Sequence, residues 1–164
     1  MKKITCLSIA FLLLIYMNAC TGYKPIFSSS NLQFKINNYS IKGNKKLGNQ
    51  IYSKLYILSK SNNDDLNARN INITINLLKN KSGTAKNSTG KIIEYKISLD
   101  TNIVVNDPLS NNEIINYQST SSSSYKVQDQ HSETLKLENK AIENLIGEVY
   151  QDLLIKMSEN ITTQ

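Results

Sequence analysis

Cys20 follows Ala19 at the point where an apolar run gives out, and a thiol in that setting points to acylation. Ile4 to Met17 makes a run of 14 mostly apolar residues, interrupted by Thr5 and Ser8 and preceded by Lys2 and Lys3. A helix that crosses a bilayer needs about 20 apolar residues, so the run predicts a secretory leader over 1–19 that is cut before Cys20. Cys6 leaves with that leader, and the mature chain then holds one cysteine and no internal disulfide. Each buried methylene adds about 0.8 kcal/mol of membrane affinity, and two or more acyl chains anchor stably where one does not. The expectation is a bacterial lipoprotein with a lipidated tether over 20–30.

The second chemistry is that of ammonium groups. After the leader, 17 basic residues face 13 acidic ones, and they are unevenly placed. Thr21 to Asn63 carries seven lysines and no acid, whereas Asp129 to Glu159 carries seven acids against three lysines. Between these stretches lie Lys79, Lys81, Lys86 and Lys91, again without an acid from Leu66 to Ile93. Asymmetry of this kind points to anionic partners. Phosphate oxygens suit such a cluster because each lysine contact is a charge-assisted hydrogen bond.

Other constellations fail on spacing or composition. Gly83 to Lys91, "GTAKNSTGK", has six residues between its outer glycines where a phosphate-binding loop needs four, and Ile92 stands where Ser or Thr is required. His131 is the sole histidine, too few for the usual zinc set. Asp129, His131 and Ser132 are neighbours in sequence, which does not supply the converging geometry of a triad. Glu138, Glu143 and Glu148 recur every five residues and read as a solvated surface. The expectation is a protein that is not an enzyme, with no metal, cofactor or nucleic-acid partner.

The elements that must position these groups follow from hydrophobic period. Leu32, Phe34 and Ile36 alternate as a strand does. Leu47, Ile51, Leu55 and Leu58 keep the spacing of one helix face. Ile71, Ile73, Ile75 and Leu77 alternate again, and Lys79 to Gly90 is expected to be a turn or loop from its Gly, Ser and Asn content. Alternation resumes at Ile93, Tyr95, Ile97 and Leu99 and extends towards Ile103. A further strand runs from Ile115 through the serine run to Val127. Leu135, Ile142, Leu145, Ile146, Val149, Leu153 and Met157 then mark a closing helix. The predicted fold is α+β, a two-layer sandwich over 31–158 with two helices on one face of a four-stranded mixed sheet, order β-α-β-β-β-α, and a tail over 159–164. A strand of this length gives the hairpin the reach to project from the sandwich with its lysines at the tip.

"ACTGYKPIF", Ala19 to Phe27, resembles the start of the LPS-assembly lipoproteins, the LptE family. There a lipidated cysteine is followed by glycine, an aromatic, a variable residue, proline, an aliphatic and an aromatic. Gly22, Tyr23, Lys24, Pro25, Ile26 and Phe27 match that order, with Thr21 as an extra residue. The predicted element order is similar to that family's two-helix, four-strand sandwich. The resemblance implies residence at the outer membrane, facing the periplasm, as partner and plug of a large LptD-like β-barrel that inserts lipopolysaccharide into the outer leaflet. It also implies direct lipopolysaccharide binding through basic residues, for which Lys79, Lys81, Lys86 and Lys91 are the candidates here. A lipid-binding auxiliary lipoprotein of another envelope transport complex is the alternative. Mass spectrometry of the native N-terminus is expected to show an acylated Cys20 as its first residue; an intact leader with a bare thiol refutes the anchor.

Overall fold

The computed structural model describes residues 32–61 and 68–161. The leader, Cys20, the tether with Tyr23, Pro25 and Phe27, and residues 162–164 of the expected tail lie outside the described residues. The order is β1 (Phe34–Gly43), α1 (Lys45–Ser61), β2 (Arg69–Lys86), β3 (Ile92–Asn106), β4 (Glu113–Lys126) and α2 (His131–Ile161). This is the expected β-α-β-β-β-α. The four strands lie in sequence order, with β1 parallel to β2 and the other pairs antiparallel.

Alternation places Ile71, Ile73, Ile75 and Leu77 of β2 beside Ile97, Leu99, Ile103 and Val105 of β3 on one buried face. Both helices cover that face, α1 over β1 and β2, α2 over β4 and β3. Leu47, Ile51 and Leu55 descend from α1, and Leu145, Val149, Leu153 and Met157 from α2, into the same core. Burying such aliphatic side chains stabilises the fold by about 1.5–3 kcal/mol each. Leu135, expected on this face, is instead exposed, while Thr134 is buried. The Thr134 hydroxyl accepts from Gln128 N at 2.9 Å and takes the inward position, which leaves Leu135 about 100° further round the helix.

β1 changes phase within its length. Phe34 and Ile36 face the helices, the register slips between Ile36 and Asn38, and Ile41 faces inwards afterwards. One extra residue in a strand reverses which positions face the core. The Ser59 hydroxyl accepts from Ile36 N at 3.1 Å beside the slip, and the Tyr39 ring stacks on Tyr52 of α1 at 3.9 Å. β1 ends at Gly43, whose φ of 72° is left-handed backbone that glycine adopts without a side-chain clash. Asn44 then caps α1. Its N–H donates to Leu77 O at 2.7 Å and its side-chain oxygen accepts from Leu47 N at 3.2 Å.

The strand assignments correct one expectation. Lys79 to Gly90 is not a loop: β2 continues to Lys86, paired with β3, and the turn is confined to 87–91. Within it, Asn87 Oδ1 accepts from Thr89 N, Thr89 Oγ1 and Lys91 N. Leu78 to Lys86 is mostly exposed, so no apolar alternation records the strand in sequence. The hairpin does not project alone either, since β4 accompanies β3 to Lys126 opposite Glu94. At the other end α2 runs to Ile161, which is buried, past the expected boundary at 158.

Gly48 lets α1 approach β1 closely, because a Cβ there would lie 2.5 Å from Ile41 Cγ2. Gly147 of α2 has open space around it. Gly48→Ala is therefore expected to lose about 1–2 kcal/mol, overpacking outweighing the helix-propensity gain. Gly147→Ala is expected to gain about 0.5–1 kcal/mol. Urea unfolding of both variants checks the pair of signs.

Candidate functional site

The hairpin lysines do not share one environment. Lys79 and Lys81 lie on the helix-facing side of β2, where the row of Ile71 to Leu77 continues past the end of the apolar core. α2 passes over them. Glu138, in its second turn, receives Lys81 Nζ at 2.6 Å and Lys79 Nζ at 3.5 Å. The Tyr125 hydroxyl of β4 donates to the same carboxylate at 2.9 Å. Lys81 Nζ also lies 4.3 Å from the centre of the Tyr95 ring of β3 and 5.6 Å from that of Tyr125, and those rings stack on each other. One carboxylate thus ties two strands, β2 and β4, to α2.

This overturns the expectation that no carboxylate lies near the cluster, and that Glu138 belongs to a solvated surface. Its side chain is 13% exposed. The intervals of five among Glu138, Glu143 and Glu148 gave no sign of it, because only the tertiary placement of α2 over β2 separates Glu138 from the others. In the sequence Tyr95 and Tyr125 mark only the alternation of their strands. Their alternation carried the fold, and nothing local marked them as ligands of a charge pair.

Lys86 and Lys91 flank the turn instead, both exposed, and no ion pair is formed by either among the described residues. Glu94 nearby accepts from Thr84 Oγ1 at 2.8 Å. His131 opens α2 and shares a shallow cavity of about 560 Å³ with Lys91, Tyr95 and Glu138. Among the described residues no three His, Cys, Asp or Glu side chains gather as a metal site, and no helix is long and apolar enough to cross a membrane.

A second feature lies where α1 stops short. Its first turns and the middle of α2 bound an open groove of about 770 Å³ above Lys79, lined also by Lys46, Lys54, Glu138, Ile142 and Ile146. Lys46 and Lys54 of α1 line this groove together with Glu138 and Glu143 of α2.

Neither a family model nor a curated protein matches the chain. Solved structures do resemble it. A candidate lipoprotein of Caulobacter crescentus CB15 superposes with a TM-score of 0.54 at 12% identity, covering 80% of this chain and 92% of that one. Lipoprotein B of Nitrosomonas europaea gives 0.51 at 17% identity, covering 82% and 88%. At such identities the likeness is one of fold. The β-α-β-β-β-α sandwich is an architecture these lipoproteins share.

Charge sets the pH response of the Glu138 centre. Burial pushes the Glu138 carboxyl up, but hydrogen bonds from Lys81 and Tyr125 and the charges of Lys81 and Lys79 outweigh it and hold the group below its ordinary value of 4.5. A carboxyl depressed on folding adds stability above its unfolded value, and that stability is lost as pH falls through the lower folded value. Glu138→Gln is expected to cost about 1 kcal/mol at neutral pH, given partial exposure. The variant should also lose less stability than the wild type below about pH 4.5. Thermal unfolding across that range measures both; parallel profiles for the two proteins would show that the carboxylate contributes nothing.

Proposed function

We propose that the chain is a bacterial lipoprotein held at the inner leaflet of the outer membrane by acyl chains on Cys20. In this reading it partners and plugs a large β-barrel through which lipopolysaccharide reaches the outer leaflet, assists the assembly of that barrel, and binds the lipopolysaccharide itself. It works by binding, without turnover. The leader that ends at Ala19–Cys20, the Gly22 to Phe27 resemblance and the sandwich shared with two lipoproteins support it.

The observation that carries the plug reading is the half of the sheet that outruns α1. There β2, β3 and β4 form a ribbon whose outward side chains include Asn80, Ser82 and Thr84 on β2 and Ser122 and Ser124 on β4, all exposed. Hydroxyl and amide groups of this kind keep their hydrogen bonds in a water-filled lumen, where buried apolar walls would be needed only against lipid. The ribbon ends in Lys86 and Lys91, which, unlike Lys79 and Lys81, have no carboxylate partner among the described residues.

Anion recognition by the hairpin accordingly rests on Lys86 and Lys91, with Lys79 and Lys81 held back by Glu138. Lys86→Glu with Lys91→Glu is expected to weaken binding to purified lipopolysaccharide by about tenfold or more and to leave the unfolding midpoint unchanged. Titration of lipopolysaccharide onto the double variant tests this, and an affinity equal to the wild type would remove the turn as the phosphate site. Recovery of the native protein with an outer-membrane barrel supports the plug; recovery with a periplasmic or inner-membrane transport complex would favour the auxiliary role.

A further inference from the structure

The β1–β2 ladder stops at Gly43 opposite Leu77, yet β2 continues through Leu78–Lys86. Along that stretch β3 pairs one side, and among the described residues no strand pairs the other. The bond from Asn44 N to Leu77 O fixes which backbone groups face the open side. The N–H and C=O of one strand residue point the same way, and the direction alternates along the chain. Lys79 and Lys81 therefore direct theirs outwards, while Leu78, Asn80 and Ser82 direct theirs to β3. A register shift after Gly83 ends the regular stretch.

Edge strands are commonly protected by lysine side chains or bulges, and neither protects this one. The ammonium groups of Lys79 and Lys81 are drawn inwards onto Glu138, clear of an approaching strand, and the bulge lies beyond the regular stretch. Beside the edge the α1 wall of the groove offers Lys46 and Lys54, which form no ion pair among the described residues, while Glu138, already paired with Lys79, and Glu143 lie on the α2 wall. Resting on the barrel partnership above, we propose that the open half of β2 receives an extended, acid-bearing segment of the barrel partner, added in line with β1. Backbone hydrogen bonds to Lys79 and Lys81 hold it in register, and its carboxylates face Lys46 and Lys54 of α1.

Charge and position select this occupant over others. A second copy pairing β2 with β2 would bring no carboxylate to Lys46 and Lys54, because Leu66 to Ile93 carries no acid. The chain's own Thr21 to Asn31 contains Lys24 and no acid, and it leads into the opposite end of the sheet, where Arg69 N donates to Gln33 O.

Proline is tolerated on an edge strand where its missing N–H faces outwards. Lys81→Pro therefore removes one edge donor and spares the β2–β3 ladder, whereas Lys81→Ala removes the same side chain and keeps the donor. The acylated full chain is purified with its barrel from native membranes, and amide hydrogen exchange is followed for the complex and for the chain alone. Lys81→Pro is expected to bind the barrel up to about tenfold more weakly than Lys81→Ala. In the wild-type complex the Lys79 and Lys81 amides are expected to exchange about tenfold or more slowly than in the free chain. A barrel complex in which these amides exchange as in the free chain overturns the edge proposal and leaves the barrel partnership standing. Failure to recover any barrel overturns both. Protection already present in the isolated chain assigns the edge to the chain's own segment, and protection that grows with protein concentration assigns it to a second copy; either result overturns the proposal.

Discussion

The parallel ladder between β1 and β2 has to stop where the chain turns into α1, and much of the molecule's character follows from that stop. Gly43 takes left-handed backbone there, and a Cβ at that position would collide with the Leu77 carbonyl. Asn44 donates to the same carbonyl and caps the helix. Below this point the sheet has four strands and two covering helices. Above it there are three strands and α2 alone. The core can be apolar below because both layers close over it, and the ribbon above can be polar because water reaches most of it.

The Glu138 centre belongs to the boundary between these halves. Apolar packing between α2 and the sheet thins out past Ile97, and charge takes over the attachment. Lys79, Lys81 and Tyr125 converge on one carboxylate that has lost most of its water. Desolvation and pairing oppose each other in such a place, and the pairing wins here because three donors from two strands are already positioned. The same geometry divides four lysines that look alike in sequence into two held on α2 and two presented at the turn.

Where burial was one-sided, the sequence was legible. Ile71 to Leu77 and Ile97 to Val105 alternate because one face packs and the other meets water, and α1 shows its stripe for the same reason. Even the serine run of β4 could be placed, because Tyr117 and Tyr125 keep one phase across it. Lys79 to Lys86 was not legible as strand. Both faces there are largely exposed, so the conformation is set by the partner β3 and leaves no hydrophobic period. The phase reversal at Asn37 was equally silent, since an inserted residue in an edge strand changes facing without changing composition. The candidate site split along similar lines: the lysines were visible as a cluster, but their partner Glu138 lies 57 residues beyond Lys81 and becomes a neighbour only through packing.

Helix α2 spans the whole length of the body. Its first residue, His131, shares a cavity with Gly90 and Lys91 at the turn, and Asn160 near its end shares another with Arg69 and Asp107 at the pole where β1 begins. A helix of 31 residues measures about 46 Å, and it is fastened to the sheet by hydrocarbon along most of its course and by Glu138 near the tip. The molecule is in effect a braced strut. The turn is thereby held at a set distance from the pole where β1 begins.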